Sequence, residues 1–310
     1  MKRALLIAAA VIAVLGMAYF VFARYLPNTR LTSPPPIPNP FVQSRAKLPR
    51  PAHVVIVIEE NKSPSNIIGN DEAPYINSLA SAGALFINSN GVAHPSQPNY
   101  LALFTGNVNW NGDVCPERGV APTSPTLGGS LLRARLSFAG YSEDLPRPGF
   151  AGCTGGAVNY GFSQKHAPWV GFHDVPPTRS LPLDRLPGYD SLPTVAFIIP
   201  DLAHDMHSGS IGAADDWLRA HVGPIVSWSR DHDALVIITW DESDREFDNA
   251  IPTIFIGANV NPGRYGERID HYRVLRTIED MYGLRPIGNS ANVDPITDCW
   301  RWISLQPHRR

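Results

Sequence analysis

The sequence predicts an α/β fold built on a mainly parallel sheet with helices on both faces, and three observations carry that expectation. The runs 53–58, 194–199 and 234–240 are almost continuously β-branched or large and apolar, without the polar alternation of a half-exposed strand. Such strands are covered on both sides, as the central strands of parallel sheets are. Stretches with helical spacing separate the runs, as right-handed crossovers between parallel strands require. Each run also stops in polar residues: Glu59-Glu60-Asn61, Pro200-Asp201 and Asp241-Glu242. In open α/β sheets the carboxyl edge is where ligands bind.

In chain order, Lys2 and Arg3 precede an apolar run over 4–23 that Arg24 ends. About 20 apolar residues span a bilayer, so 1–24 is expected to be an uncleaved anchor with its basic end cytoplasmic and the rest exported. Cleavage after Val21-Phe22-Ala23 would instead release a secreted protein. Ser33-Pro34-Pro35-Pro36-Ile37-Pro38-Asn39-Pro40 marks 25–51 as a semi-rigid linker. The globular part is expected over 52–303, with a basic tail at 304–310.

Within that part, helices are expected over 73–82, 100–106, 127–136, 213–229 and 272–282, and shorter strands over 84–87, 138–141 and 252–257. Between 106 and 191 the pattern loosens into glycine and proline, which reads as a cap or long active-site loop. Cys115 and Cys153 lie in this region and are expected to pair, since export permits a disulfide; Cys299 is left as a buried or free thiol.

The 310 residues are 44% hydrophobic and 17% charged, which suits a large buried core and excludes disorder for most of the chain. A net charge of −2 leaves no basic footprint for nucleic acid, so an anionic ligand must be held locally. A monomer is expected.

His94-Pro95-Ser96-Gln97-Pro98-Asn99-Tyr100 sets a serine between two prolines ahead of an apolar, helix-forming segment. Proline restricts φ on both sides, and a helix N-terminus offers free N–H groups to an anion. The hydroxyl of Ser96 is therefore a candidate nucleophile. Glu60 with Asn61, the segment from Asp201 to Asp205, and Asp241 with Glu242 reach the same sheet edge from three strands. Carboxylates brought together without nearby Lys or Arg require a cation.

These blocks, together with Lys165-His166-Ala167-Pro168-Trp169, Asp205-Met206-His207, His271-Tyr272 and Pro295-Ile296-Thr297-Asp298, resemble the phosphoesterase family of the alkaline phosphatase superfamily. Within it the likeness is to the secreted acid phosphatases of mycobacterial type, which act on a phosphoinositide. The resemblance runs from 53 to 300 and implies an alkaline-phosphatase-like three-layer α/β/α sandwich. It implies Ser96 as nucleophile, Glu60, Asn61, Asp241 and Glu242 as metal ligands, and Asn99 as holder of a phosphate oxygen. His207, Lys165 and His166 match positions facing the phosphate. His271 is similar to the superfamily's histidine ligand of a second metal, with Asp205 and Asp201 as rival aspartates. Two departures stand out: Asp241-Glu242 is followed by Ser243-Asp244-Arg245 instead of a more acidic loop, and Cys299 stands where isoleucine is usual.

The mechanism this implies is hydrolysis of a phosphate monoester, with lipid phosphate as the substrate class, through a phosphoserine. Ser96 attacks with help from the metal, Asn99 and either Lys165 or His166 stabilise the equatorial oxygens, and His207 protonates the leaving oxygen and then activates water. Carboxylate and amide oxygens suit calcium, magnesium or manganese, and an acid pH optimum. A second, histidine-containing site would favour zinc and a neutral or alkaline optimum. Two other readings are a phosphodiesterase of phospholipase C type and a catalytically inactive, membrane-tethered phosphate or metal binder.

Overall fold

The structure is a computed structural model that describes residues 48–108, 113, 115, 125–244 and 248–301. The expected anchor, the linker up to 47 and the basic tail lie outside these residues. Among the described residues no helix is long and apolar enough to cross a membrane. The chain divides into units at 1–40 and 41–310, and everything described belongs to the second.

The strands are β1 (His53–Glu59), β2 (Ala84–Phe86), β3 (Ser89–Asn90), β4 (Phe138–Ser142), β5 (Ser180–Pro182), β6 (Val195–Ile199), β7 (Ala234–Trp240), β8 (Thr253–Ile256), β9 (Gly263–Tyr265) and β10 (Ile269–Asp270). Eight form one sheet in the order β5-β4-β6-β1-β7-β8-β2-β9, and β3 pairs with β10. The central strands are parallel, with Val55 opposite Ala196 on β6 and Val236 on β7. Only β8 runs against the rest, antiparallel to both β7 and β2. The polar ends of β1, β6 and β7 therefore meet at one edge, as the sequence predicts.

The helices are α1 (Pro64–Ile67), α2 (Pro74–Ala82), α3 (Gln97–Thr105), α4 (Leu127–Arg133), α5 (Ile211–Trp217), α6 (Gly223–Ser229) and α7 (His271–Tyr282). Val54, Ile56 and Ile58 face a core shared with α3, α4 and α7, and Val55 and Val57 face one shared with α2, α5 and α6. This is the three-layer sandwich, and it explains why β1 carries no polar alternation: every residue from Val54 to Ile58 is buried.

α3 is buried all round, which fixes the position of its first turn. It starts three residues ahead of the expected helix, because Pro98 falls in the first turn, where its missing N–H has no intrahelical partner to lose. Gly106 ends it at φ 69, where a Cβ would stand 2.2 Å from the Ile287 carbonyl oxygen. The helix expected over 213–229 is instead α5, a widened π-type turn at Leu218–Val222, and α6. Pro224 has no N–H and its ring crowds the preceding turn, so the backbone widens before it. Gly140 on β4 lies under the Trp169 indole, 2.2 Å from where a Cβ would be; the ring anchors the 163–180 segment there through an Nε1–H bond to Ser180 Oγ of 3.0 Å.

Candidate active site

Ser96 is the N-cap of α3, 3% exposed, and its Oγ lies 3.0 Å from Glu60 Oε2 and 2.9 Å from Glu242 Oε1. Glu60 follows directly on β1 and Glu242 lies just beyond β7, so the two central strands deliver both carboxylates. Asn61 adopts φ 53, a left-handed conformation that Asn tolerates better than most residues. That turn aims its backbone N–H at Asp241 Oδ1, at 3.0 Å, and its side-chain amide at Glu60 Oε2, at 2.6 Å. Neighbouring backbone bonds fix the strand ends: Asp241 N–H donates to the Glu59 carbonyl and Glu60 N–H to the Asp205 carbonyl.

The proton count does not close. One serine hydroxyl carries one proton and cannot donate to two carboxylates at once, so the second close contact requires a protonated acid or a cation. Burial pushes the Glu60 carboxyl well above its ordinary range, and Asp241 and Asp205 push it further. Asp241 is raised by burial and then by Glu242; burial raises Asp205 and Glu242 as well. Asp241 Oδ2 and Asp205 Oδ2 are buried without a hydrogen-bond partner. A buried, unpaired carboxylate oxygen is costly.

His166 sharpens the same imbalance. Its Nε2 is 3.0 Å from Glu60 Oε1 and its Nδ1 3.3 Å from Asp205 Oδ2. Burial, and then Lys165, lower its pKa to about 3, so the ring is neutral and has one N–H for two carboxylates. Ligand atoms of Glu60, His166 and Asp205 lie within 4.8 Å of one another, a group that could hold a metal ion. Four buried carboxylates, two of them with an orphaned oxygen, stand with an amide and an imidazole at one strand edge, a donor set that could hold a divalent cation.

The other expected site residues fall in different places. Lys165 forms an ion pair with Asp113, whose other carboxylate oxygen accepts from the Gln97 N–H at 3.3 Å. The His207 ring is tilted against His166 at 5.9 Å, and its backbone N–H donates to Asp205 Oδ1 at 2.8 Å. Burial, followed by His166, lowers the His207 pKa. Asn99 differs from expectation. Its carbonyl accepts from the Val92 and Ala93 N–H groups, and its amide donates to the Ala93 and Pro95 carbonyls. With both N–H groups engaged, Asn99 braces the turn before Ser96 and presents no donor to an oxyanion.

Among the described residues, His271 does not come together with either rival aspartate, Asp205 or Asp201, as a second metal group. His271 is buried at the start of α7 with Nε2 bonded to the Asp241 carbonyl at 2.7 Å, so it supports the Asp241 backbone. Asp201 turns away to accept from the Ala203 and His204 N–H groups and joins His204 and Glu143 in a separate cluster. Asp205 alone reaches the centre, where its neighbour is His166.

Three contributors escaped the sequence reading. Tyr100 donates its hydroxyl to Glu60 Oε1 at 2.7 Å and stacks on His166 with centroids 5.0 Å apart. Its spacing of four from Ser96 was the available signal, since such residues share a helix face. His94 pairs with Glu242 Oε2. Asp113 reaches the site from a region without a periodic pattern and gives no such signal. The Cys115–Cys153 disulfide forms as expected, and Cys299 is a buried free thiol.

Comparison with known proteins identifies the family and the fold. The model of the Phosphoesterase family matches residues 70–285. The phosphatidylinositol-3-phosphatase of Mycobacterium tuberculosis is 48% identical over 257 residues, covering 82% of this chain and 84% of that protein. An acid phosphatase of Aspergillus fumigatus is 28% identical over 233 residues, which are 68% of this chain but 51% of the fungal protein, so the chain spans about half its length. A solved structure from Vibrio parahaemolyticus, described as a protein in the alkaline phosphatase superfamily, shares the fold at a TM-score of 0.51 and 13% identity, covering 77% and 68% of the two chains. A serine at a helix N-terminus among strand-end carboxylates, on this sheet and with this similarity, places the chain in the Phosphoesterase family, as a hydrolase of phosphoric esters.

Proposed function

We propose that this chain is an exported, divalent-cation-dependent phosphomonoesterase that passes the phosphoryl group of its substrate to Ser96 and then to water. The observation that carries this reading is the Ser96 hydroxyl at the end of a buried helix, within 3.0 Å of two buried carboxylates. Glu60, Asn61, Asp241, Glu242 and Ser96 would hold the cation, an oxygen set suited to calcium, magnesium or manganese. His166 beside Asp205 offers the nitrogen that zinc would favour. Bound there, a divalent cation lowers the effective pKa of the serine hydroxyl and offsets phosphate charge.

The chain's own groups do the rest. Glu242 or Glu60 takes the Ser96 proton, and Oγ attacks phosphorus in line with the leaving oxygen. Lys165 and the Gln97 N–H bind the equatorial oxygens. His207 gives its proton to the leaving oxygen as the ester P–O bond breaks, then takes one from the water that hydrolyses phosphoserine. Burial lowers the His207 pKa and so shifts its acid form toward lower pH, in keeping with an acid working range.

A phosphoinositide headgroup is the substrate class, on the strength of the mycobacterial relative. Export is supported by the basic and apolar segment at 1–24 and by the disulfide. The test is Ser96→Ala with p-nitrophenyl phosphate. Turnover is expected to fall by about 10⁴-fold or more while cation binding persists. Unchanged turnover overturns the reading, and a preference for bis-p-nitrophenyl phosphate redirects it to a phosphodiesterase of phospholipase C type.

A further inference from the structure

The Asp113 carboxylate engages both donors that the proposed function assigns to the equatorial phosphoryl oxygens. One oxygen accepts from the Gln97 N–H at 3.3 Å, and the other pairs with the Lys165 ammonium. Gln97 is the first residue of α3 beyond Ser96, so this N–H belongs to the helix terminus that faces the serine. A carboxylate and two oxygens of a phosphoryl group present the same bidentate, anionic face to such donors. We infer that Asp113 is a built-in competitor for the substrate's phosphoryl group, holding the N–H and the ammonium that the phosphate must claim; this rests on the reading of Ser96 as the phosphate-accepting end of the site.

Two features argue that the arrangement is built. The neighbourhood already holds Glu60, Asp205, Asp241 and Glu242, so another carboxylate is disfavoured there unless its own cationic partners are fixed beside it. Lys165 is held near Asp113 by a disulfide and a backbone hydrogen bond in series. Cys115, two residues beyond Asp113, is bonded to Cys153; the Cys153 carbonyl accepts from the Gln164 N–H at 2.9 Å, and Lys165 follows. The disulfide thus ties Asp113 and Lys165 to one scaffold. Lys165 and Asp113 are both largely shielded, with side chains 20% and 26% exposed, so solvent screens their attraction less than that of a surface pair. The consequence is specificity. A phosphoryl group must displace Asp113 to bind, which weakens the hold on small phosphates and on product, and favours esters whose leaving group adds contacts of its own.

The experiment measures inorganic phosphate binding to the cation-loaded, full-length protein by calorimetric titration, so that no turnover is needed. Asp113→Asn keeps the shape of the side chain and removes the competing charge. Phosphate is expected to bind about tenfold tighter, the scale of one charge-assisted contact. In a Lys165→Met background the same substitution is expected to gain much less, because the contested ammonium is gone. Equal or weaker binding in Asp113→Asn overturns the inference, since Asp113 would then only position Lys165. An undiminished gain in the Lys165→Met background overturns it too. Phosphate that binds neither protein defeats the reading of the site itself, whereas equal binding to both defeats this inference alone.

Discussion

Asp241→Asn should change protein stability in opposite directions with and without a divalent cation. Asp241 is 1% exposed; its Oδ1 accepts the Asn61 N–H at 3.0 Å and its Oδ2 has no partner. Asparagine keeps the shape and the acceptor and removes the charge. A buried polar group left without a partner costs about 1–3 kcal/mol, and a charged one at least as much, so in chelator at pH 8 the variant is expected to be the more stable protein by about 1–2 kcal/mol or more. For a domain of this size that is about 3–6 °C in Tm. The sign with pH follows from the raised Asp241 carboxyl. The native state keeps a proton that the unfolded chain loses above about pH 4, so the penalty is absent at that pH and grows as pH rises. Cation reverses the ranking. At a hundred times its Kd it stabilises the wild type by about 2.7 kcal/mol and the variant by much less. Scanning calorimetry in chelator and in calcium, magnesium, manganese or zinc, at pH 5 and pH 8, reads both effects. A wild-type Tm indifferent to every one of these ions, or a variant equally destabilised in chelator and in cation, would refute the reasoning.

Two further outcomes follow from the site and its surroundings. Tyr100→Phe loses the 2.7 Å bond to Glu60 but keeps the ring on His166, so cation affinity should weaken about tenfold with little change in chelator-measured stability; an unaltered affinity contradicts the assignment. Burial pushes the Glu279 carboxyl, set between Ser290 and the Ile287 N–H, up to about 8. Between the unfolded value near 4.5 and that pKa the folded state holds a proton the unfolded chain has lost, so stability declines as pH rises through the window. Glu279→Gln should flatten that decline, gaining about 1–3 kcal/mol at pH 8 relative to pH 5 in urea titrations, and parallel pH profiles for the two proteins would contradict it.

The legible parts of this molecule are those whose signal is local. Unbroken apolar runs named β1, β6 and β7, and the polar residues that stop them put Glu60 with Asn61, the segment from Asp201 to Asp205, and Asp241 with Glu242 at one edge, without singling out Asp205. The reversal of β8 was not legible, because Thr253–Ile256 reads the same in either direction and its sense depends on the connection that carries Asp241 and Glu242. Asn99 shows the limit of motif reasoning. The motif fixed its position after Ser96, but four hydrogen bonds within the turn decide what its amide can do. His271 and Asp201 show a related limit. Asp201 follows β6 and His271 opens α7, yet the histidine bonds to a backbone carbonyl behind Asp241 and the aspartate closes its own turn. Asp113 and His166 act through contacts 52 and 106 residues apart in sequence, with Lys165 and Glu60 respectively, and no local pattern encodes such pairs.

The most direct measurement is acid quenching of the cation-loaded enzyme during turnover of a phosphate monoester, followed by mass spectrometry of the peptide that contains residue 96. A phosphoryl group is expected on Ser96 at early times, to decay as substrate is exhausted and to be absent from Ser96→Ala. Full turnover with no label on that peptide, or label on another side chain, would contradict it.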